Sequence, residues 1–346
     1  MRPARSSAMI SGTEAMPKSE TASAATEEIW ADMGKVTSGR ETPDFTALGP
    51  FASQGQNAAR GYTASACRRT TTRQRSDMQP LAALPTSVAA SVRTVLTDID
   101  DTITTDGRLT AGAYAAMERL ELSGIRVIPI TGRPAGWCDH IVRMWPVRAV
   151  VGENGAFYYA YDRSAHRMKT HYWDDAATRA ANRARLDAIR DRVLREVPGA
   201  ALASDQAYRA ADLAIDFCED VPALPQAQVD RIVRIFEEAG AQAKVSSIHV
   251  NGWYGDYDKL SMTRRLFERE LGQDIVQALP STLFIGDSPN DEPMFGFFPL
   301  SVGVANIQSQ LDRIKQKPAF VTPSRGGAGF VEMADRLLAA RRGHGG

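Results

Sequence analysis

The stretch Val95-Leu96-Thr97-Asp98-Ile99-Asp100-Asp101-Thr102 constrains this chain more than any other. It grows out of a short, mostly apolar run, Val92 to Leu96, and ends in three acids within four residues. Such a run between polar neighbours reads as a strand buried on both faces, as parallel sheets require. Side chains alternate along an extended chain, so Asp98, Asp100 and Thr102 are expected on one side and Ile99 on the other. Two carboxylates at i and i+2 repel unless a cation or a chemical task compensates. The crevice beyond the carboxyl ends of parallel strands is also where open α/β sheets bind ligands.

The flanking segments share one rhythm. A turn at Asp106-Gly107 precedes a helix over Thr110 to Ser123, with Thr110 as cap and Gly124 as stop. A second apolar strand, Arg126 to Ile130, ends in Thr131-Gly132-Arg133-Pro134. A helix over Ala135 to Met144 leads to a third strand, Ala149 to Val151, which ends in Gly152-Glu153-Asn154-Gly155-Ala156. Strands alternating with helices at these intervals imply right-handed crossovers and a parallel sheet.

The rhythm then changes. Residues 157–161 and 168–173 read as a hairpin around Asp162-Arg163-Ser164. A long polar helix, Ala176 to Glu196, stops at Pro198-Gly199, and a strand over Asp212 to Phe217 follows it. A helix over Pro225 to Ala239 and a strand over Lys244 to Val250 complete what reads as a small α+β insert. After Gly255 the first pattern resumes. Lys259 opens a helix to Leu271, and the strand Thr282 to Ile285 runs into Gly286-Asp287-Ser288-Pro289-Asn290-Asp291. Two more short strands, Leu300 to Val304 and Ala319 to Val321, precede a closing helix over Gly329 to Ala340.

Residues 1–77 differ from the rest, being rich in Ser, Thr, Ala, Gly and Gln without sustained apolar periodicity, and read as a disordered tail. The basic cluster Arg68-Arg69-Thr70-Thr71-Thr72-Arg73-Gln74-Arg75 reads as part of that solvated tail, and Met78 as a possible translational start. Basic and acidic residues balance at 41 each, so no net field argues for nucleic acid or an anionic membrane. No apolar run spans a bilayer, and the amino terminus lacks the apolar core of a secretory signal. Cys67, Cys138 and Cys218 form neither a metal spacing nor a disulfide framework, which suits the cytoplasm.

Four segment ends carry polar groups in order: Asp98/Asp100, Thr131, Lys259 and Asp287/Asp291. Taken singly each has a bland account, since an acid after a strand commonly caps the next helix and a lysine opening a helix is commonly solvated. Taken together they describe phosphoryl transfer to an aspartate. A phosphomonoester resists attack because its oxygens are anionic. Its cleavage therefore needs a nucleophile, charge neutralisation and a proton for the leaving oxygen. Asp98 is placed as nucleophile, and Asp100 as acid to the leaving alcohol and then base to water. Asp287 adds a third carboxylate, and that much negative charge beside a phosphate calls for a hard cation, Mg2+. Thr131 offers a hydroxyl and a backbone donor to a phosphate oxygen. Lys259 offers a fixed charge that also screens Asp98, and Asp291 holds a water of the cation or orients Lys259.

Asp98-Ile99-Asp100-Asp101-Thr102, Thr131-Gly132-Arg133, Lys259 and Gly286-Asp287-Ser288-Pro289-Asn290-Asp291 resemble the four motifs of the haloacid dehalogenase (HAD) superfamily. Their order, the insert between the second and third, and Glu153-Asn154-Gly155-Ala156 at its entry resemble the subfamily with a type-2 cap. That subfamily includes sucrose-, trehalose- and mannosyl-3-phosphoglycerate phosphatases. The resemblance spans Thr94 to Leu338 and implies a Rossmann-like α/β core over 90–155 and 256–340, with an inserted α+β cap over 156–255. It further implies magnesium held by Asp98, a backbone carbonyl at Asp100, and Asp287. Thr102, Arg133, Asn154, Asn290 and Asp291 would support the site. Asp101 stands where the family often has glycine.

Substrate choice is expected in the cap. Ser247, His249, Asn251, Trp253 and Tyr254 precede Lys259, and His249, Asn251 and Trp253 are candidates to contact a sugar. The plainer account is that His249 and Trp253 pack the cap sheet, as His171, Tyr172 and Trp173 are expected to pack. The expected partner is a small phosphorylated metabolite. A sugar phosphomutase of the same superfamily and a phosphorylatable or sugar-phosphate-sensing domain are the alternatives. A receiver domain carries its acids before the acceptor aspartate within one compact unit, whereas here acids recur after Lys259.

Overall fold

The computed structural model describes residues 78–343 except Ser247. The readings of residues 1–77 and of Ser247 lie outside those described residues. In chain order the first segments are β1 (Gln79–Pro80), α1 (Thr86–Ser91), β2 (Thr94–Thr97), β3 (Thr104–Thr105), β4 (Arg108–Leu109), α2 (Ala111–Leu122) and β5 (Arg126–Pro129). α3 (Ala135–Met144), β6 (Val150–Gly152), β7 (Phe157–Asp162), β8 (Arg167–Tyr172) and α4 (Ala176–Glu196) follow. Next are β9 (Ala201–Leu202), β10 (Leu213–Asp216), α5 (Gln226–Glu238), β11 (Gln242–Val245) and β12 (His249–Trp253). The chain closes with α6 (Lys259–Arg269), α7 (Ile275–Ala278), β13 (Thr282–Gly286), α8 (Glu292–Phe297), β14 (Ser301–Gly303), β15 (Phe320–Val321) and α9 (Gly326–Arg342).

The central sheet is parallel, in the order β1-β15-β14-β13-β2-β5, with β2 paired to β13 and β5. Its alternation is that of a sheet covered on both faces. Val95, Val127 and Leu283 point into one apolar cluster with Met117 and Leu337 from α2 and α9. Leu96, Ile128 and Phe284 point into another with Met262, Leu266 and Met294 from α6 and α8. The expected α/β core with a parallel sheet is therefore present. α2 starts where its cap signal placed it, the Thr110 side chain accepting from Ala113 N, and Gly124 ends it with φ 77°. No described helix is long and apolar enough to cross a membrane.

Between β8 and α6 lies a lid, an antiparallel sheet in the order β11-β12-β10-β9 with α4 and α5 on one face. Leu213, Ile215 and Val250 turn toward those helices and join Leu186, Ile189, Ile232 and Phe236 in a separate core. Asp216, His249 and Asn251 fall on the opposite face, because β10 and β12 pair Ala214 with Asn251 and Asp216 with His249. At Gly252 an added Cβ would sit 2.1 Å from Phe236, so only glycine lets that ring cover the strand.

Two expectations change. Residues 244–250 form a hairpin instead of one strand, because Ser246 makes a turn: its amide and hydroxyl both donate to His249 O. The aromatic hairpin β7–β8 pairs with β6, which meets β5 through an Ile130–Val151 bridge. Phe157 and Tyr159 accordingly enter the cluster of Val95 and Val127, so this hairpin extends the core sheet and stands apart from the lid. His171, Tyr172 and Trp173 serve packing there, with Tyr172 OH 2.5 Å from Tyr159 OH and Arg265 stacked over Trp173. Cys138 is fully buried among apolar residues.

Candidate active site

The ends of β2, β5 and β13 lie side by side, and the chain leaving each carries one part of the site. Asp98 N still donates across the sheet to Ile285 O at 2.9 Å. Beyond it the backbone coils, so that the amides of Thr102, Ile103 and Thr104 all donate to Ile99 O. The strand alternation expected to align Asp98 with Asp100 thus stops at Thr97. Asp98 turns inward and is 4% exposed, while Asp100 faces Arg133. Thr102 Oγ1 reaches Asp287 Oδ1 at 3.5 Å.

Asp101 sits at the tightest point of that coil with φ 56°. This is the left-handed region, which glycine enters freely and aspartate better than most side chains. Replacing Asp101 by glycine relieves that strain but frees the unfolded chain, an opposing effect of about 0.4–1 kcal/mol. Stability in urea is expected to stay within about 1 kcal/mol of wild type. A larger change would mean that the Asp101 side chain does more than tolerate the turn.

Asp98, Asp287 and Asp291 each offer an oxygen within 4.8 Å of the others. Lys259 Nζ lies 2.6 Å from Asp98 Oδ1 and 2.7 Å from Asp291 Oδ1. The lysine is placed by the start of α6, where Asp258 caps the helix and accepts from Ser261 N. Asp291 Oδ2 accepts from Asp287 N and Ser288 N, fixing the loop after β13. Asn290 lies on the rim, its Oδ1 accepting from Ser288 Oγ at 2.7 Å. Asn306, which sequence reasoning passed over, donates to Asp287 Oδ2 at 3.0 Å and to Asp101 O at 3.1 Å. It follows β14, and the rule that sites gather at strand ends is the signal by which it could have been found.

Burial pushes the Asp98 carboxyl up to about 8; Lys259 draws it down, and Asp291 and Asp100 push it further up. Asp287 is raised for the same reasons, burial first and then the Asp98 and Asp291 charges. Burial disfavours the Lys259 ammonium, but Asp291 and Asp98 outweigh it and keep it charged. Once all three carboxyls ionise, one ammonium leaves two negative charges unmatched in an all-oxygen cluster. That donor set fits a hard divalent cation.

The second strand's loop departs from expectation in one respect. Thr131 N does not face the site but donates to Val151 O at 2.9 Å, because Thr131 continues the pairing between β5 and β6. Its hydroxyl accepts from Arg133 N at 3.0 Å. The amides of Ile99, Asp100 and Gly132 have no hydrogen-bond partner among the described residues. Asn154, with φ 55°, packs behind Gly132, where a Cβ would lie 3.2 Å from its Nδ2.

The lid is tied down by charged contacts that sequence reasoning did not find, although it named Glu153 and Arg133. The carboxylate of Glu153 accepts from the amides of Ala210, Ala211 and Asp212 at 2.6–3.1 Å. Arg209, 1% exposed at its side chain, pairs with Asp205 and Asp212 and donates to Gly132 O at 3.0 Å. Arg133 grips Asp100 through Nε and Nη2 at 2.9–3.1 Å. These partners are 57 to 86 residues distant or lie in loops, where no local periodicity marks them.

Of the lid candidates, His249 and Asn251 line the cavity over Asp98, and Asn251 Nδ2 donates to Asp212 Oδ2 at 3.0 Å. Trp253 does not. It is 1% exposed, stacks on Tyr257 and donates to Tyr257 O, so it packs the lid-to-core junction. With the lid in this position the cavity holds about 20 Å³, room for a single water-sized group. A surface groove of about 890 Å³ lies beyond Asp101 and is lined by none of Asp98, Lys259 and Asp287.

No protein-family model and no curated protein matches the sequence. Solved structures do match. Protein 0175 of Thermoplasma acidophilum is 19% identical and aligns over 71% of this chain and 98% of its own, with a TM-score of 0.55. A HAD/COF-like hydrolase from Plasmodium vivax is 15% identical over 74% and 99%, at 0.54. The chain shares the fold of these solved structures, one of which is described as a HAD/COF-like hydrolase. The sucrose-phosphatase of Synechocystis, solved with sucrose and phosphate, is 17% identical over 71% and 97%, at 0.50.

Proposed function

We propose that this HAD-fold chain is a magnesium-dependent phosphatase that hydrolyses a small phosphomonoester through an aspartyl-phosphate on Asp98. The observation that carries the reading is the buried cluster of Asp98, Asp287 and Asp291 around Lys259 Nζ, beside amides without partners. Asp98 and Asp287, with a backbone carbonyl at Asp100, would hold the cation, and Asp291 fixes Lys259. When bound, magnesium supplies the positive charge that an anionic phosphoryl group requires beside these carboxylates.

In the first step an Asp98 oxygen attacks phosphorus, the bond to the leaving oxygen breaks, and Asp100 donates a proton to that oxygen. In the second, Asp100 takes a proton from a water that attacks the same phosphorus, releasing inorganic phosphate and restoring Asp98. Lys259 and the free amides of Ile99, Asp100 and Gly132 hold the transferring oxygens, and the Thr131 hydroxyl adds a donor. The lid must open to admit an ester, since the cavity beneath it fits only a water-sized group. Its polar face of Asn251, His249 and Arg209 suits a hydroxylated leaving group, and the likeness to a fold that holds sucrose and phosphate supports a sugar phosphate.

The test is phosphate release with Mg2+ from a panel of phosphorylated sugars, glycerates, nucleotides and vitamin phosphates. A sugar monophosphate is expected to be turned over fastest, without a bisphosphate activator. Release from none of them would sink the reading, and a strict need for the activator would favour the mutase.

A further inference from the structure

We infer that Glu219, on the lid, is a positioning residue that seats Arg133 on Asp100 when the lid is closed, and so ties proton transfer to closure. The inference rests on the phosphatase reading and adds to it a residue outside the four motifs. Its basis is a chain of charged contacts crossing from core to lid. Arg133 holds Asp100 with Nε and Nη2, both groups belonging to the core loops after β2 and β5. The same Nη2 lies 3.2 Å from Glu219 Oε1, and Nη1 lies 3.6 Å from Asp205 Oδ2, both on the lid. The other Glu219 oxygen lies 2.9 Å from His249 Nε2, within ion-pair reach although not aligned as a hydrogen bond.

Glu219 is itself held firmly. It lies three residues beyond the end of β10, where Asp216 Oδ1 accepts from Cys218 N and Glu219 N and Oδ2 accepts from Asp220 N, at 2.8–2.9 Å. His249 and Arg133 draw its carboxyl down to about 2, so it remains a carboxylate. Arg133 has a long, rotamer-rich side chain whose ordering costs entropy. With the lid away, it retains Asp100 and a stacking contact, its Cζ 4.4 Å from the Trp137 ring centroid. With the lid down, Glu219 and Asp205 fix the far end of the guanidinium and leave its fork one direction, onto Asp100. An acid that must meet a leaving oxygen within hydrogen-bond reach gains from being locked only when substrate is enclosed.

The experiment uses the full chain with Mg2+ and two esters, the best sugar phosphate from the panel and p-nitrophenyl phosphate. The sugar alkoxide cannot leave unprotonated, whereas p-nitrophenolate can. Glu219→Gln is expected to lower kcat for the sugar phosphate at least tenfold, with KM within about threefold and a clearly smaller loss for p-nitrophenyl phosphate. Glu219→Asp, which keeps the charge one methylene short, is expected to recover part of that kcat. An unchanged kcat, a rise in KM alone, or equal losses with both esters would overturn the inference, the last by showing a merely structural role. If Asp98→Asn abolishes turnover while Glu219→Gln does not change it, only this inference fails. A wild-type chain that releases no phosphate would sink the phosphatase reading and this one together.

Discussion

Replacing Asp98 by asparagine is expected to lower turnover of any phosphomonoester by at least about a thousandfold, because the amide cannot form the acyl-phosphate. Acid-quenched wild-type protein should carry phosphate after exposure to substrate, and the variant should not. Stability should move the other way. Burial raises the Asp98 carboxyl from 3.8 to about 8, so folding takes up a proton at this group. Its contribution to stability is then full below pH 4 and lost as pH rises toward 8. An amide escapes that loss. At pH 8 without Mg2+ the variant should therefore melt no lower than wild type, a trade of stability for function that buried catalytic carboxylates commonly show. Substantial turnover by a folded Asp98→Asn protein would remove the nucleophile from the scheme.

Much of this architecture was readable because it is local. β2, β5 and β13 are apolar on both faces, and α4 runs from the residue after its Asp175 cap to the residue before Val197. The site was readable to the extent that strand ends carry it, since Asp98, Lys259, Asp287 and Asp291 do meet. What failed did so where tertiary pairing overrides a local rule. Thr131 N enters the sheet because β6 arrives beside it, and the Asp98–Asp100 alternation ends because the chain coils around Ile99 O. The β11–β12 turn rests on Ser246, a weak turn signal inside a run that otherwise reads as one strand. Arg209 and Glu219 carry no pattern of their own, and the motif around Glu153 does not tell which amides it binds. Their roles come from the lid folding back over loops far away in sequence.

Replacing Lys259 by methionine should destabilise the fold by about 3–5 kcal/mol at pH 8 in the absence of Mg2+, the usual cost of stripping one partner from a buried charge pair. The ammonium is 3% exposed and is the sole cation in contact with the Asp98 and Asp291 carboxylates among the described residues. Methionine matches its length, so packing at the start of α6 changes little and the loss is electrostatic. The sign of the pH dependence follows from Asp98. Its carboxyl is already raised to about 8 with Lys259 pulling it down. Without that pull it rises further, so the variant goes on losing stability above about pH 8, where the wild-type carboxyl has ionised and its loss has levelled off. Below about pH 8 both folded proteins hold the Asp98 proton, so the deficit relative to wild type should shrink between pH 9.5 and pH 8 and change little below that. Mg2+ should also shrink it at pH 8, by supplying the missing positive charge to the same oxygens. Urea midpoints at the two pH values, with and without the ion, measure both effects. A deficit that is equal at pH 8 and pH 9.5 would mean that Lys259 holds this region by packing, and that the carboxylates are not the strained groups their burial makes them.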